Sequence, residues 1–172
     1  MRWMWIDRVI ELEPRERMVA IKNVTLAEDH LHDHFAATDS RPAQAVMPAS
    51  LIIEGMAQTA GVLVGHAEDF REKVILAKVS DASLDEDAAP GTTLRYTAEI
   101  VQMDEKGAST HGTVEIFDHA KAHEGYRKIG TIDLMFAHID RNRAGIEFPE
   151  HNFVFGDQFK DLLRASGIEP PA

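Results

Sequence analysis

From Pro48 to His66 the chain reads PASLIIEGMAQTAGVLVGH, a stretch that is apolar almost all round. At that length it describes a helix buried on most of its sides rather than one lying on a surface. Arg17 to Leu26 (RMVAIKNVTL) alternates, with Val19, Ile21 and Val24 apolar, and reads as a strand that follows a turn at Glu13-Pro14-Arg15-Glu16. Residues 27 to 45 are rich in Ala, Asp, His and Pro without a clean period, which predicts a short helical turn and then a long loop of the kind that often carries function. After the helix come four segments with strand character: Val74 to Ser80, Thr92 to Met103, Ser109 to Phe117 and Tyr126 to Ile139. Pro90-Gly91 opens the second of these, Glu105-Lys106-Gly107 turns into the third, and a loop around His119 to Gly125 leads to the fourth. One strand, a buried helix, and an antiparallel set that must wrap it predict an α+β fold.

Composition narrows the function more than the fold. With 172 residues, 44% hydrophobic and 27% charged, the chain suits one domain followed by a short tail. In that tail Phe159, Leu162 and Leu163 stand at helical spacing before Gly167 and Pro170, and the segment reads as a packing appendage. Cysteine is absent, so disulfides, thiolate metal sites and a cysteine nucleophile are excluded. The opening Met1-Arg-Trp-Met-Trp-Ile6 lacks the apolar stretch of a signal peptide, and no later run has the length of a membrane span, so a cytoplasmic location is expected. A formal net charge of -11 would repel a nucleic-acid backbone.

Glu54 is the residue that asks for chemistry. Its neighbours are Leu51, Ile52, Ile53 and Met56, among which an unpartnered carboxylate is strongly disfavoured. At i, i+4 and i+8, Ser50, Glu54 and Gln58 form a narrow polar stripe that must face something polar. A buried hydrogen bond to backbone or to Gln58 and a catalytic role both satisfy that requirement. Ala57, Gly61 and Gly65 form a second stripe, where small side chains would let a sheet come close. Pro48 suits the first helical position and Met47 has no oxygen to cap it, which leaves the amides of Ala49 and Ser50 free either to polarise a carbonyl or to meet water or a loop carbonyl. His30, His32, Asp33 and His34 lie close together, but no second cluster offers further ligands at recognisable spacing, and no metal is predicted.

Together RVIELEPRERMVAIKNVTL (8 to 26), His34-Phe35, Arg41-Pro42 and VMPASLIIEGMAQTAGVL (46 to 63) resemble the β-hydroxyacyl-(acyl carrier protein) dehydratases. Their signature runs G-H-F-P-G-x-P-x-M-P-G into a helix of the form L-I-I-E-A-M-A-Q. The resemblance implies a hotdog fold over residues 1 to 140, with 141 to 172 as an extension packed on it, and a homodimer with interfacial sites that could assemble further as a trimer of dimers. It implies water removal from a (3R)-hydroxyacyl thioester, carried on acyl carrier protein or CoA, to give the trans-2-enoyl product without metal or organic cofactor. His34 would be the base, Glu54 the acid and the Ala49 amide the oxyanion donor, with Phe35, Pro48 and Gln58 lining the substrate. Three departures stand beside the site: Asp33-His34-Phe35-Ala36-Ala37 replaces G-H-F-P-G, an insertion separates Phe35 from Met47, and Ala49 replaces a glycine. An acidic run, Ser83-Leu-Asp-Glu-Asp87, precedes the Pro90-Gly91 turn and is unsuited to an acidic carrier. A hotdog thioesterase and a non-catalytic acyl-binding or scaffold dimer are the competing functions, and fold alone does not choose among them.

Overall fold

The computed structural model describes residues 3–33, 35–139 and 154–170, with the side chains of His32 and Asp33 excepted. Six strands form one antiparallel sheet: β1 (Arg8–Glu13), β2 (Arg17–Val24), β3 (Val74–Leu84), β4 (Thr92–Asp104), β5 (Gly107–Asp118) and β6 (Arg127–His138). Their order across the sheet is β1-β2-β4-β5-β6-β3. A short helix α1 (His30–Asp33) precedes the long helix α2 (Ala49–Ala67), and α3 (Asp157–Ala165) follows the sheet. This is the α+β arrangement expected, with α2 held in the concave face of the sheet.

The packing explains why so apolar a helix is tolerated. Met18 and Ala20 of β2, Leu94, Tyr96 and Ala98 of β4, Val114 and Ile116 of β5, and Ile132 and Leu134 of β6 all point at α2 and are essentially inaccessible. Alternate residues face outward, and there Arg95 forks onto Glu115 at 2.8 Å through each of two nitrogens. Two glycines set how closely helix and sheet approach. A Cβ at Gly112 of β5 would lie 2.5 Å from Met56 Sδ, and one at Gly55 of α2 would lie 2.5 Å from Tyr96 Oη. The C-terminal end of α2 is closed by Arg15 from the β1–β2 turn, which donates to the carbonyl of Ala67 at 2.7 Å and so sets a cation on the negative helix end.

Several expectations need correction. The strand β1 lies where the sequence pattern assigns no element. It is an edge strand with a bulge between Val9 and Glu11, and only Val9 is buried, so it carries no clean alternation. β3 runs four residues beyond the expected Ser80, to Leu84, because its pairing with β6 continues through two irregularities of register. Pro48 is the cap residue of α2 rather than its first helical residue, with φ -56° and ψ 138°. The stripe of Ala57, Gly61 and Gly65 does not simply seat the sheet: Gly65 receives the ring of Phe155, while Ala57 and Gly61 line a cavity.

Candidate active site

Glu54 sits half-buried on α2 and is paired. Its Oε1 accepts from the Trp3 indole Nε1 at 3.1 Å and from Gln58 Nε2 at 3.0 Å. Gln58 is buried and fully used, since its Nε2 also donates to the Trp3 carbonyl at 3.1 Å and its Oε1 accepts from the Trp5 amide at 2.8 Å. That amide can only donate, so the orientation of the Gln58 side chain is determined. The polar stripe on α2 therefore faces the backbone and one indole of the N-terminal segment. With Oε1 already engaged by two N–H donors, any proton this carboxyl carries belongs on Oε2.

Trp3 and Trp5 were missed as site residues. They are the only tryptophans in the chain, and their i, i+2 spacing on an extended segment was the available signal. Their rings meet edge to face at 5.4 Å, and Trp5 also meets His30 at 5.1 Å.

The other candidates lie elsewhere. Ala49 begins α2 and is exposed; among the described residues no side chain caps this end. The Pro48 carbonyl accepts from Leu51 at 2.9 Å and Ile52 at 3.3 Å, which starts the helix and leaves the amides of Ala49 and Ser50 outside its ladder. Buried Met47 holds the approach by donating its amide to Ala88 at 2.8 Å. Phe35 is half-buried below Arg41, whose guanidinium lies 6.0 Å from the ring centroid. The insertion after it closes on itself, with Gln44 N donating to Phe35 O at 3.0 Å and Thr38 N to Arg41 O at 2.8 Å. His34 lies outside the described residues. Among the described residues no group of three or more potential metal ligands comes together.

Within one chain these parts do not converge. Ala49 and Glu54 are five residues apart, about 140° around the helix. Ala49 opens, with Ile52, onto a cavity of about 190 Å³ bordered by Leu84, Asp85, Glu86 and Asp87. Glu54 opens onto a different cavity of about 300 Å³, apolar apart from its Trp3, Glu54 and Gln58 end. The acidic run beside Ala49 is partly neutralised, because Arg127 forks onto Glu86 and holds its carboxyl below the usual range. Asp85 and Asp87 remain exposed.

Comparison with known proteins gives the fold and the family. The 3-hydroxyacyl-[acyl-carrier-protein] dehydratase FabZ of Symbiobacterium thermophilum is 35% identical over 132 residues, which span 76% of this chain and 88% of that protein. The FabZ of Lactiplantibacillus plantarum is 36% identical over 134 residues, 77% of this chain and 82% of its own. Among solved structures, the dehydratase heterocomplex ApeI:P from Xenorhabdus doucetiae superposes with a TM-score of 0.60 at 19% identity, covering 81% of this chain and 85% of that one. A thioesterase family protein from Silicibacter pomeroyi gives 0.58 at 15% identity, covering 76% and 82%. The fold is thus the hotdog fold, shared by dehydratases and thioesterases alike. Residues 2–123 match the FabA-like domain, and the chain belongs to that family.

Proposed function

We propose that this chain is a 3-hydroxyacyl-(acyl carrier protein) dehydratase whose active site is shared between two copies. The relatives' dehydration reaction comes to this chain because its helix keeps the carboxylate, the glutamine four residues on, and the Met-Pro entry to an uncapped helix start. The observation that carries the shared site is the separation of Ala49 and Glu54 into two cavities on different faces of α2. Each chain offers two half-sites, and a two-fold partner would bring the half containing Ala49 against the half containing Glu54.

The edge of the sheet supports the same pairing. β3 ends the strand order, and Ile75, Leu76 and Val79 on it are 38%, 39% and 40% exposed. A long apolar edge strand of this kind is a template for a second chain. A homodimer joined there is our reading, with a cytoplasmic location part of it; among the described residues no helix is long and apolar enough to cross a membrane.

In the reaction His34 takes the C2 proton of the 3-hydroxyacyl thioester, and electron density moves onto the thioester oxygen, where the Ala49 amide at the positive helix end receives it. The C3 hydroxyl leaves as water with the proton from Glu54 Oε2, and the enoyl double bond forms. Trp3 and Gln58 fix the carboxyl so that Oε2 is the oxygen turned to substrate. Incubation with crotonyl and 3-hydroxybutyryl thioesters tests this: the enoyl absorbance is expected to change in both directions without release of free thiol. Thiol release instead would make the protein a thioesterase, and neither signal would leave an acyl-binding role.

A further inference from the structure

The cavity that starts at Glu54 does not end within the FabA-like match. Along α2 it follows Ala57 and Gly61, about 10 Å from Glu54 at 1.5 Å per residue. Beyond Gly61 the wall is supplied by Val154, Phe155 and Phe159, from the C-terminal segment and outside the residues that match the family. Phe155 is 3% exposed, and its Cζ lies 2.5 Å from where a Cβ on Gly65 would stand. Phe155 also meets Phe70 edge to face at 5.0 Å and Phe159 at 6.1 Å, which makes an aromatic wedge. The wedge is held in place by α3 and the residue after it: Leu162 and Leu163 are buried, and Ser166 Oγ, just past the helix, accepts from the Val9 amide of β1 at 3.1 Å. A polar end at Glu54 and an apolar body backed at its far end by packed rings, with Ile75 and Leu76 of the β3 edge along its open side, is the shape of a site for a hydrocarbon chain whose reacting carbons sit at the carboxyl.

Resting on the dehydratase reading, we propose that Phe155 and Phe159 form the end wall of the acyl site, so that the C-terminal segment sets the longest acyl chain the enzyme accepts. Gly61 belongs to the same device. A Cβ there would meet only Phe136 Cε1, at 3.5 Å, so the glycine leaves room for substrate rather than for protein.

Two substitutions should move the limit in opposite directions. Phe159→Ala shortens the wedge at its half-buried member, and Gly61→Leu fills the cavity from the helix side. The measurement is kcat/KM over a series of trans-2-enoyl thioesters from crotonyl through octenoyl to hexadecenoyl. Methylene discrimination in an apolar pocket reaches tenfold or more, so the hexadecenoyl-to-crotonyl ratio should rise by about that factor in Phe159→Ala, and the octenoyl-to-crotonyl ratio should drop by about that factor in Gly61→Leu. Melting curves establish that each variant is folded, and Gly61→Leu gains helix propensity, so at least one arm stays readable. Calorimetric affinity for saturated acyl-pantetheines of rising length reads the same wall without turnover. An unchanged length profile in folded variants, in both assays, overturns the proposal. A shifted binding profile with no enoyl turnover by any form would sink the dehydratase reading and leave the wall standing.

Discussion

Glu54→Gln is expected to lower kcat by about 10²–10⁴, the usual contribution of a general acid, while KM and melting temperature stay close to those of the unaltered protein. The amide oxygen of glutamine can still accept from Trp3 Nε1 and Gln58 Nε2, so the hydrogen bonds that tie α2 to the N-terminal segment survive. What disappears is the proton on the second oxygen. A carboxylate kept only for structure would give the reverse pattern, with turnover intact. Steady-state hydration of crotonyl thioester beside a denaturant melt separates the two outcomes.

How far this site was legible in the sequence follows from what each residue leaves in the pattern. Glu54 and Gln58 stood out because polar groups at i and i+4 interrupt an apolar cylinder, and the structure joins them directly. The free helix start at Ala49 was legible because neither Met47 nor Pro48 has a side-chain oxygen to cap it, although the cap falls on Pro48 and not on Met47. Trp3 was not, since its contact with Glu54 spans fifty-one positions of sequence and depends on how the N-terminal segment crosses α2. Nor were the separate cavities beside Ala49 and Glu54, which form only once the sheet has closed around the helix.

Gly55→Ala should destabilise the fold by up to about 2 kcal/mol. Overpacking a filled core costs roughly 1–3 kcal/mol, and the gain in helix propensity offsets about 1. The new methyl would stand 2.5 Å from Tyr96 Oη, 2.6 Å from Tyr96 Cζ and 2.8 Å from the Trp5 carbonyl. Tyr96 is 0% exposed and lies between its neighbours on β2 and β5, so the ring has nowhere to move. The glycine is thus a packing partner of Tyr96. Adding Tyr96→Leu to Gly55→Ala should recover part of the loss, and chemical denaturation of the single and double variants measures the coupling. A stabilised Gly55→Ala protein would mean that the helix rides further from β4 than the structure has it.

The fold was legible where burial is one-sided and regular. The buried helix, the turn at Asp104–Gly107 and strands β2, β4, β5 and β6 fall within a residue or two of their expected bounds. The edges were harder to read, because β1 buries only Val9 and most of β3 is exposed, so neither carries the alternation that a half-buried strand writes into sequence. The C-terminal segment was read as a packing appendage. Its α3 does pack beside β1, yet Phe155 and Phe159 reach the cavity of Glu54, a role that helical spacing alone does not encode.

The shared site is tested most directly by mixing two inactive proteins. His34→Ala and Glu54→Gln are prepared separately, combined in equal amounts and allowed to exchange subunits, with exchange followed by mass spectrometry. Random pairing makes about half of the dimers hybrid, and each hybrid holds one site with both lesions and one site with neither. Turnover should return to about a quarter of that of the unaltered protein if sites act independently, while neither variant alone recovers. If His34 and Glu54 instead served one site within a single chain, every site in every hybrid would carry a lesion, and exchanged mixtures that stay inactive would contradict the account.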